Sequence, residues 1–211
     1  MDHNTSMISD RSPLVRLWRV GFALLCIVAV VVQMQKSPNI AHFFSFFTIQ
    51  SNIIGAVILL YGGLVIPAKT RVWDLIRGGA TIYLMLTGVI YNLLLVDISE
   101  ELQTTIPWVN HVLHIVMPLV MVIDFLLIPL VHRLQFRQTI VWSLYPLAYF
   151  AYSLIRGPIV DWYPYPFLDP RENGYPQVFV FSLIVLVCFL ATSWLLAATN
   201  NWRLDRTEPA R

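Results

Sequence analysis

Two histidines and an asparagine interrupt an otherwise apolar stretch that runs from Trp108 to Pro118. An imidazole or an amide is costly in hydrocarbon, so inside a membrane helix such groups face protein or a water-filled cavity and are functional candidates. Asn110, His111 and His114 are three or four residues apart, which places them on or near one helix face. Pro118 removes the hydrogen bond that the His114 carbonyl would accept, which predicts a distorted helix beside the imidazole.

A second polar group lies in the earlier stretch Phe47–Asn52, which contains Thr48, Gln50 and Asn52. A hydroxyl is a weak nucleophile until a base takes its proton, and a neutral imidazole within hydrogen-bond reach is the commonest base. Thr48 and His114 each lie six residues inside a predicted helix, which is about 9 Å of depth. If both helices enter from the same face, the two side chains lie at matching depth and can form a nucleophile–base pair.

Other polar residues are expected to support this pair. Asn110 or His111 would orient the imidazole of His114, and neighbouring amides would donate hydrogen bonds to an oxyanion. Asp124 lies about 15 Å deeper than His114, too far to contact the imidazole. It is expected to form an interhelical hydrogen bond, with the neutral acid as one interpretation. The candidates for substrate binding or orientation are Asn52, Gln50, Asn92, Asn110, His111 and Arg156.

The composition requires a membrane to hold these elements. Of the 211 residues, 57% are hydrophobic and only 12% are charged, with a mean hydropathy of +0.67. Soluble domains carry about 25% charged residues, and a spanning helix needs about 20 mostly apolar residues. The short connections predict one integral membrane domain over 1–211. The first apolar run has no signal-peptide cleavage site after it, so it is expected to stay in the protein as a helix. The six predicted spans, which together form an all-α bundle, are 14–34, 42–66, 72–96, 108–131, 138–156 and 177–198.

The basic residues are unevenly distributed between the predicted connections. Of the 14, only Lys36, Arg156 and Arg171 fall on one predicted side of the membrane. Because basic residues concentrate in cytoplasmic loops, both termini are expected to be cytoplasmic, in a multi-pass protein of the plasma (inner) membrane. Arg16 and Arg19 are expected to extend to the inner surface. The net charge of +2 gives no reason to expect nucleic acid as a partner, and the oligomeric state stays open.

The segment between the last two predicted helices, residues 157–170, contains four prolines and several aromatic residues. Two interpretations are open: a belt of side chains at the membrane interface, or a stiff cap folded over the mouth of a pocket. Cys26 and Cys188 both fall within predicted spans, and no CxxC or other metal-ligand spacing occurs, so we expect no metal and no cofactor.

Three motifs in the same order, Phe47–Asn52, Trp108–His114 and Trp162–Asp169, resemble the bacterial branch of the androgen-induced-gene family. That family also includes the androgen-dependent TFPI-regulating protein. Its animal members are six-helix intramembrane hydrolases of fatty acid esters of hydroxy fatty acids, with a threonine nucleophile and a histidine. The resemblance implies the same fold, with Thr48 as the threonine and His114 as the histidine. Ile115 stands where the animal motif tends to have threonine, so the substrate does not transfer.

The sequence therefore predicts an intramembrane hydrolase of lipid esters. Thr48 would be acylated, His114 would act as base and then as acid, and a membrane lipid or lipid ester would be the substrate. A non-enzymatic lipid- or solute-binding protein or small transporter is the alternative, although transport would need polar groups through both halves of the membrane. A metal or haem site at His111 and His114 is a third, since histidines three residues apart can share a metal.

Overall fold

The computed structural model describes residues 9–96 and 106–207, and every regular element within these ranges is helical. Asp97, Glu100, Glu101 and Arg211, which the sequence places in connections or a tail, lie outside the described residues. The helices are α1 Pro13–Lys36, α2 Ile40–Phe43, α3 Phe47–Leu64, α4 Arg71–Ile90, α5 Pro107–His111, α6 Met117–Leu127, α7 Phe136–Val160 and α8 Pro170–Thr207, with π-helical turns at Tyr91–Leu95 and Val112–Val116 and a 3₁₀ turn at Pro166–Leu168.

In the described part of the chain, five helical stretches are long and apolar enough to cross a membrane. They are Pro13–Lys36, Phe47–Leu64, Arg71–Leu95, Pro107–Leu127 and Gly174–Arg206. The expected all-helical, multi-pass character is therefore confirmed. The predicted helix 138–156 is present as α7, but α7 is not among the five. Its 25 residues include tyrosines, serines and the prolines Pro146 and Pro158, which lower its apolar character.

The predicted span 42–66 is wrong at its start, because the chain forms two helices there. The short helix α2 ends at Phe43, and α3 begins only at Phe47, after Phe46 adopts an extended conformation. His42 and Thr48 are therefore not in one helix. Thr48 instead lies in the first turn of α3, where backbone N–H groups have no acceptor within the helix. The break between α2 and α3 therefore places Thr48 at the N-terminal end of a helix.

The distortion expected near Pro118 is present as a π-helical turn over Val112–Val116. The N–H of Met117 donates to the carbonyl of Val112, five residues earlier, before α6 continues through Pro118. A second π-helical turn, Tyr91–Leu95, ends α4. Gly88 lets α4 pack closely against the helical stretch that contains His114 and Pro118. A Cβ at Gly88 would lie 3.1 Å from Pro118 and 3.3 Å from the His114 carbonyl oxygen. Such π turns in helices are frequent at functional sites.

Two groups of buried apolar side chains form the core. One lies between α1, α3, α4 and the helices around Val112–Val116, and the other between α4, α7, α8 and the segment 161–169. Phe47 belongs to the second group and Ile49 to the first. Thr48, between them in sequence, therefore lies where the two halves of the bundle meet.

The bundle has two ends, which we name by what they carry. The loop end carries the segment 161–169 and the start of α3, and the terminal end carries the start of α1 and the end of α8. The expectation that Arg19 extends to the membrane surface is wrong. Arg19 is 1% exposed and pairs with Asp124, which also pairs with Arg77. Two guanidinium partners make Asp124 a charged ion-pair partner rather than a neutral acid.

Candidate active site

The hydroxyl of Thr48 lies 3.2 Å from the Nε2 atom of His114. The threonine comes from the first turn of α3 and the histidine from the π-helical turn Val112–Val116. Both side chains are buried, at 8% and 6% exposure. A nucleophile and a base within about 2.6–3.2 Å satisfy the geometric requirement for general-base activation of a hydroxyl.

The backbone carbonyl of Asn110 fixes the orientation of the His114 ring. It lies 3.1 Å from His114 Nδ1. A carbonyl can only accept a hydrogen bond, so Nδ1 carries the proton and Nε2 presents its lone pair to the Thr48 hydroxyl. The ring of Tyr91 stacks on the imidazole at 4.0 Å, and the side chain of Asn110 donates to the Tyr91 hydroxyl at 2.5 Å. Both π-helical turns thus contribute a side chain to the site.

Asn52 joins the two helices that carry the pair. Its side-chain amide donates to the carbonyl of Thr48 at 2.9 Å and to the carbonyl of Leu113 at 3.0 Å. Asn52 is completely buried, and both amide hydrogens are used in these bonds. Asn52 therefore ties the backbone at Thr48 to the backbone at Leu113, the residue before His114, and has no hydrogen left for an oxyanion.

Tyr165 is a functional candidate that the sequence did not single out. Its hydroxyl accepts a hydrogen bond from the backbone N–H of Thr48 at 3.3 Å and lies 3.5 Å from the Thr48 hydroxyl. Burial raises the pKa of Tyr165, so the phenol stays protonated near neutral pH. The only signal in the sequence was the proline-rich aromatic segment that contains it, for which a cap was one interpretation.

The segment that contains Tyr165 folds into the bundle. Tyr163, Tyr165, Phe167 and Leu168 are all buried. Tyr163 packs where Gly157 leaves no room for a Cβ, since one there would lie 2.0 Å from the Tyr163 ring. This burial fits a cap better than a belt of side chains exposed to a membrane interface.

Four of the candidates from the sequence lie away from the Thr48 hydroxyl. Gln50 donates to the Phe44 carbonyl and accepts from Tyr145, while Asn92 is exposed and donates to the Gly88 carbonyl. His111 is exposed, with Nδ1 2.9 Å from the Pro107 carbonyl, so it does not orient His114. Arg156 lies over the ring of Trp162. Helical spacing had selected His111, whereas polarity and matching depth had selected the other three, and neither criterion specifies which side chains meet.

The hydroxyl-bearing residue Thr48 borders two cavities of different character. One has a volume of about 50 Å³ and is lined by His114, Asn110 and Tyr91, among others. The other has a volume of about 530 Å³ and lies between α7 and α8, with an almost entirely apolar lining. Small-molecule sites typically measure about 300–1,000 Å³, so only the larger cavity, which we call the α7–α8 cleft, is of ligand size.

The fold and the site together define an all-helical protein of membrane character with a buried threonine–histidine pair beside an apolar cleft. Comparison with protein-family models, with curated proteins and with solved structures found no match for this chain. In the part of the chain that the structure describes, no three His, Cys, Asp or Glu side chains converge to hold a metal ion.

Proposed function

We propose that the protein is an intramembrane hydrolase of lipid esters, with Thr48 as the nucleophile and His114 as the general base. The observation that carries this proposal is the 3.2 Å contact between the Thr48 hydroxyl and His114 Nε2, with Nδ1 held by the Asn110 carbonyl. This chain of nucleophile, base and orienting group is the arrangement that activates hydroxyls in acyl transfer. It agrees with the roles that the family resemblance implies for these residues.

The reaction has two steps, acylation of Thr48 and hydrolysis of the acyl-threonine. The Thr48 oxygen attacks the ester carbonyl while its proton passes to His114 Nε2, the ester C–O bond breaks, and His114 returns that proton to the departing alkoxide. Water then attacks the acyl-threonine and gives a proton to His114, which passes it to the Thr48 oxygen as the acyl bond breaks. The smaller cavity is large enough for a water molecule, which needs about 10–15 Å³ of such volume.

A lipid substrate is favoured by the α7–α8 cleft. Leu147 and Phe179 line the cleft and are also 54% and 68% exposed on the outside of the bundle. In a membrane protein such exposure faces lipid, so the cleft is open to the bilayer along its side. The acyl chain of a fatty acid ester, including an ester of a hydroxy fatty acid, would enter there without crossing water.

The membrane arrangement belongs to the same proposal. We place the protein in the plasma membrane with six spans, α7 being the sixth, and with both termini in the cytoplasm. A 25-residue helix is about 37 Å long, enough to cross a hydrocarbon core of about 30 Å. The basic residues near the terminal end support this orientation.

The test is hydrolysis of p-nitrophenyl esters by the purified protein, combined with labelling by a fluorophosphonate probe. We expect wild type to hydrolyse the esters and to be labelled. We expect Thr48→Ala to lose both properties and His114→Gln to lose about 10²–10⁴-fold in kcat. Thr81→Ala is the matched control, because Thr81 is buried and donates to the Arg77 carbonyl away from the site. Equal labelling of Thr48→Ala and wild type would refute the assignment, and absence of both activities in folded wild type would favour a lipid-binding protein.

A further inference from the structure

We propose that Tyr165 is a catalytic residue whose hydroxyl stabilises the oxyanion formed on the acyl group at Thr48. This inference deepens the proposed hydrolase function and rests on it. When Thr48 attacks an ester carbonyl, negative charge develops on the carbonyl oxygen. Donors aimed at that charge usually provide the largest single contribution to lowering the barrier.

The amides that the sequence offered for this role are engaged elsewhere. Asn52 donates both hydrogens to the carbonyls of Thr48 and Leu113. The amide nitrogens of Gln50 and Asn92 donate to the carbonyls of Phe44 and Gly88. None of these three side chains therefore presents its amide to an oxyanion at Thr48.

Tyr165 meets the geometric and chemical requirements. Its hydroxyl oxygen is 3.5 Å from the Thr48 hydroxyl oxygen, and the side chain is 6% exposed. The oxygen accepts the backbone N–H of Thr48 and also contacts the Tyr149 hydroxyl, which itself donates to the Ser45 carbonyl. The phenolic hydrogen of Tyr165 is therefore the group that can turn towards an oxyanion next to Thr48. Tyr165 also lines both cavities, which places its hydroxyl at the boundary where the ester bond must lie.

The surroundings of Tyr165 hold its ring in place. The ring of Phe167 stacks on it at 5.1 Å, and the ring of Phe46 packs edge-on at 5.7 Å. A donor that is fixed before the reaction needs no reorganisation when charge appears. The backbone N–H of Thr48, in the first turn of α3, is the natural second donor once an oxyanion displaces its contact with Tyr165.

The experiment compares Tyr165→Phe with Tyr83→Phe. Both changes remove a buried phenol oxygen and keep the ring, but the Tyr83 hydroxyl donates to the Trp142 carbonyl, and Tyr83 lines neither cavity. We expect Tyr165→Phe to lower kcat for p-nitrophenyl butyrate by about 10²–10³-fold with KM changed less than threefold. We expect Tyr83→Phe to retain kcat within about fivefold.

The same variants separate this inference from the function on which it rests. If Tyr165→Phe keeps a kcat as close to that of wild type as Tyr83→Phe does, Tyr165 is not the oxyanion donor, while the hydrolase function stands. If the loss in Tyr165→Phe appears in KM alone, the residue only binds substrate and the inference is also wrong. If folded wild type shows no Thr48-dependent hydrolysis, the proposed function itself fails.

Discussion

Two buried polar layers, one at each end of the described bundle, differ in what surrounds them. At the terminal end, Asp124 pairs with Arg19 at 2.6 Å and with Arg77 at 2.8 Å, and Arg19 also pairs with Asp10. At the loop end, the Thr48 hydroxyl and His114 share one neutral hydrogen bond. The charged layer ties α1, α4 and α6 together, while the neutral layer borders two cavities.

This difference indicates how the two layers divide stability and chemistry. A buried charge is tolerated when its partners compensate for lost hydration, and it then fixes the helices that supply those partners. A reactive pair needs space for substrate and water, so its hydrogen bond must be one that can be exchanged. We therefore expect changes at the terminal end to affect folding, and changes at the loop end to affect turnover.

The largest effect on folding is expected from Asp124→Ala, which leaves the guanidinium groups of Arg19 and Arg77 buried without their shared carboxylate. Breaking a buried ion pair by removing one partner costs about 3–5 kcal/mol. The measurement is unfolding of the detergent-solubilised protein followed by circular dichroism. Ester hydrolysis per folded molecule is expected to stay within about threefold of wild type.

The control for Asp124 is Asp205→Ala, which removes an exposed carboxylate that pairs with Arg133. Exposed ion pairs contribute about 0–1 kcal/mol, so this variant is expected to unfold close to wild type. A strong loss of turnover in folded Asp124→Ala, with little loss of stability, would show that the two layers do not divide their roles in this way.

The sequence predicted the two layers unequally. The apolar runs predicted where most of the long helices lie. The Thr48–His114 pair was predicted because both residues are polar groups inside such runs. The ion pair was missed because Arg19 and Asp124 are 105 positions apart. Each had a separate interpretation, Arg19 as a side chain that reaches the membrane surface and Asp124 as an interhelical hydrogen-bond partner. No local pattern marks which distant charge a buried charge will meet.

The details around the pair depended on tertiary contacts. Nothing in the apolar sequence around Phe46 predicts the break before α3, which is held by contacts from elsewhere, such as the Tyr149 hydroxyl on the Ser45 carbonyl. Tyr165 reaches Thr48 only because the proline-rich segment folds inward, and sequence left belt and cap equally open. Helical spacing also overestimated His111, and the matching of depths overestimated Asn92; both residues are exposed.

An intermediate effect is expected from filling the α7–α8 cleft. Leu183 lines the cleft and is 50% exposed, whereas Leu190, on the same helix and 42% exposed, does not line it. We expect Leu183→Trp to lower kcat/KM for p-nitrophenyl dodecanoate about tenfold, because small steric changes in an apolar pocket are worth about 1–3 kcal/mol. Hydrolysis of p-nitrophenyl acetate is expected to stay within twofold.

Leu190→Trp is the matched control for added bulk on the surface of α8, and its chain-length profile is expected to follow wild type. If Leu183→Trp slows acetate and dodecanoate equally, the cleft does not hold the acyl chain. The space beside Thr48 would then hold no acyl chain, and the loop end would not differ from the terminal end by binding substrate.

The smallest effect concerns the cap, through an ion-pair cluster outside the membrane helices. Arg171 binds Asp169 at 2.8 Å and Asp161 at 2.7 Å, and its hydrogen bonds lower the pKa of Asp169. A lowered carboxyl pKa in the folded state adds stability that is fully present above the unfolded value of about 3.9 and is lost as pH falls through the folded value. Acid below about pH 4 is therefore expected to loosen the segment 161–169 before the buried charged layer opens.

Hydrogen–deuterium exchange of peptides covering 161–169 measures this loosening, with Arg171→Gln compared at every pH so that the intrinsic exchange rate cancels. Wild type is expected to exchange more slowly than the variant at pH 6, and the difference is expected to vanish at the acid end of the range. A difference that persists unchanged to the lowest pH would mean that Arg171 holds the cap by packing on Tyr163, over whose ring its guanidinium lies, and not by its charge.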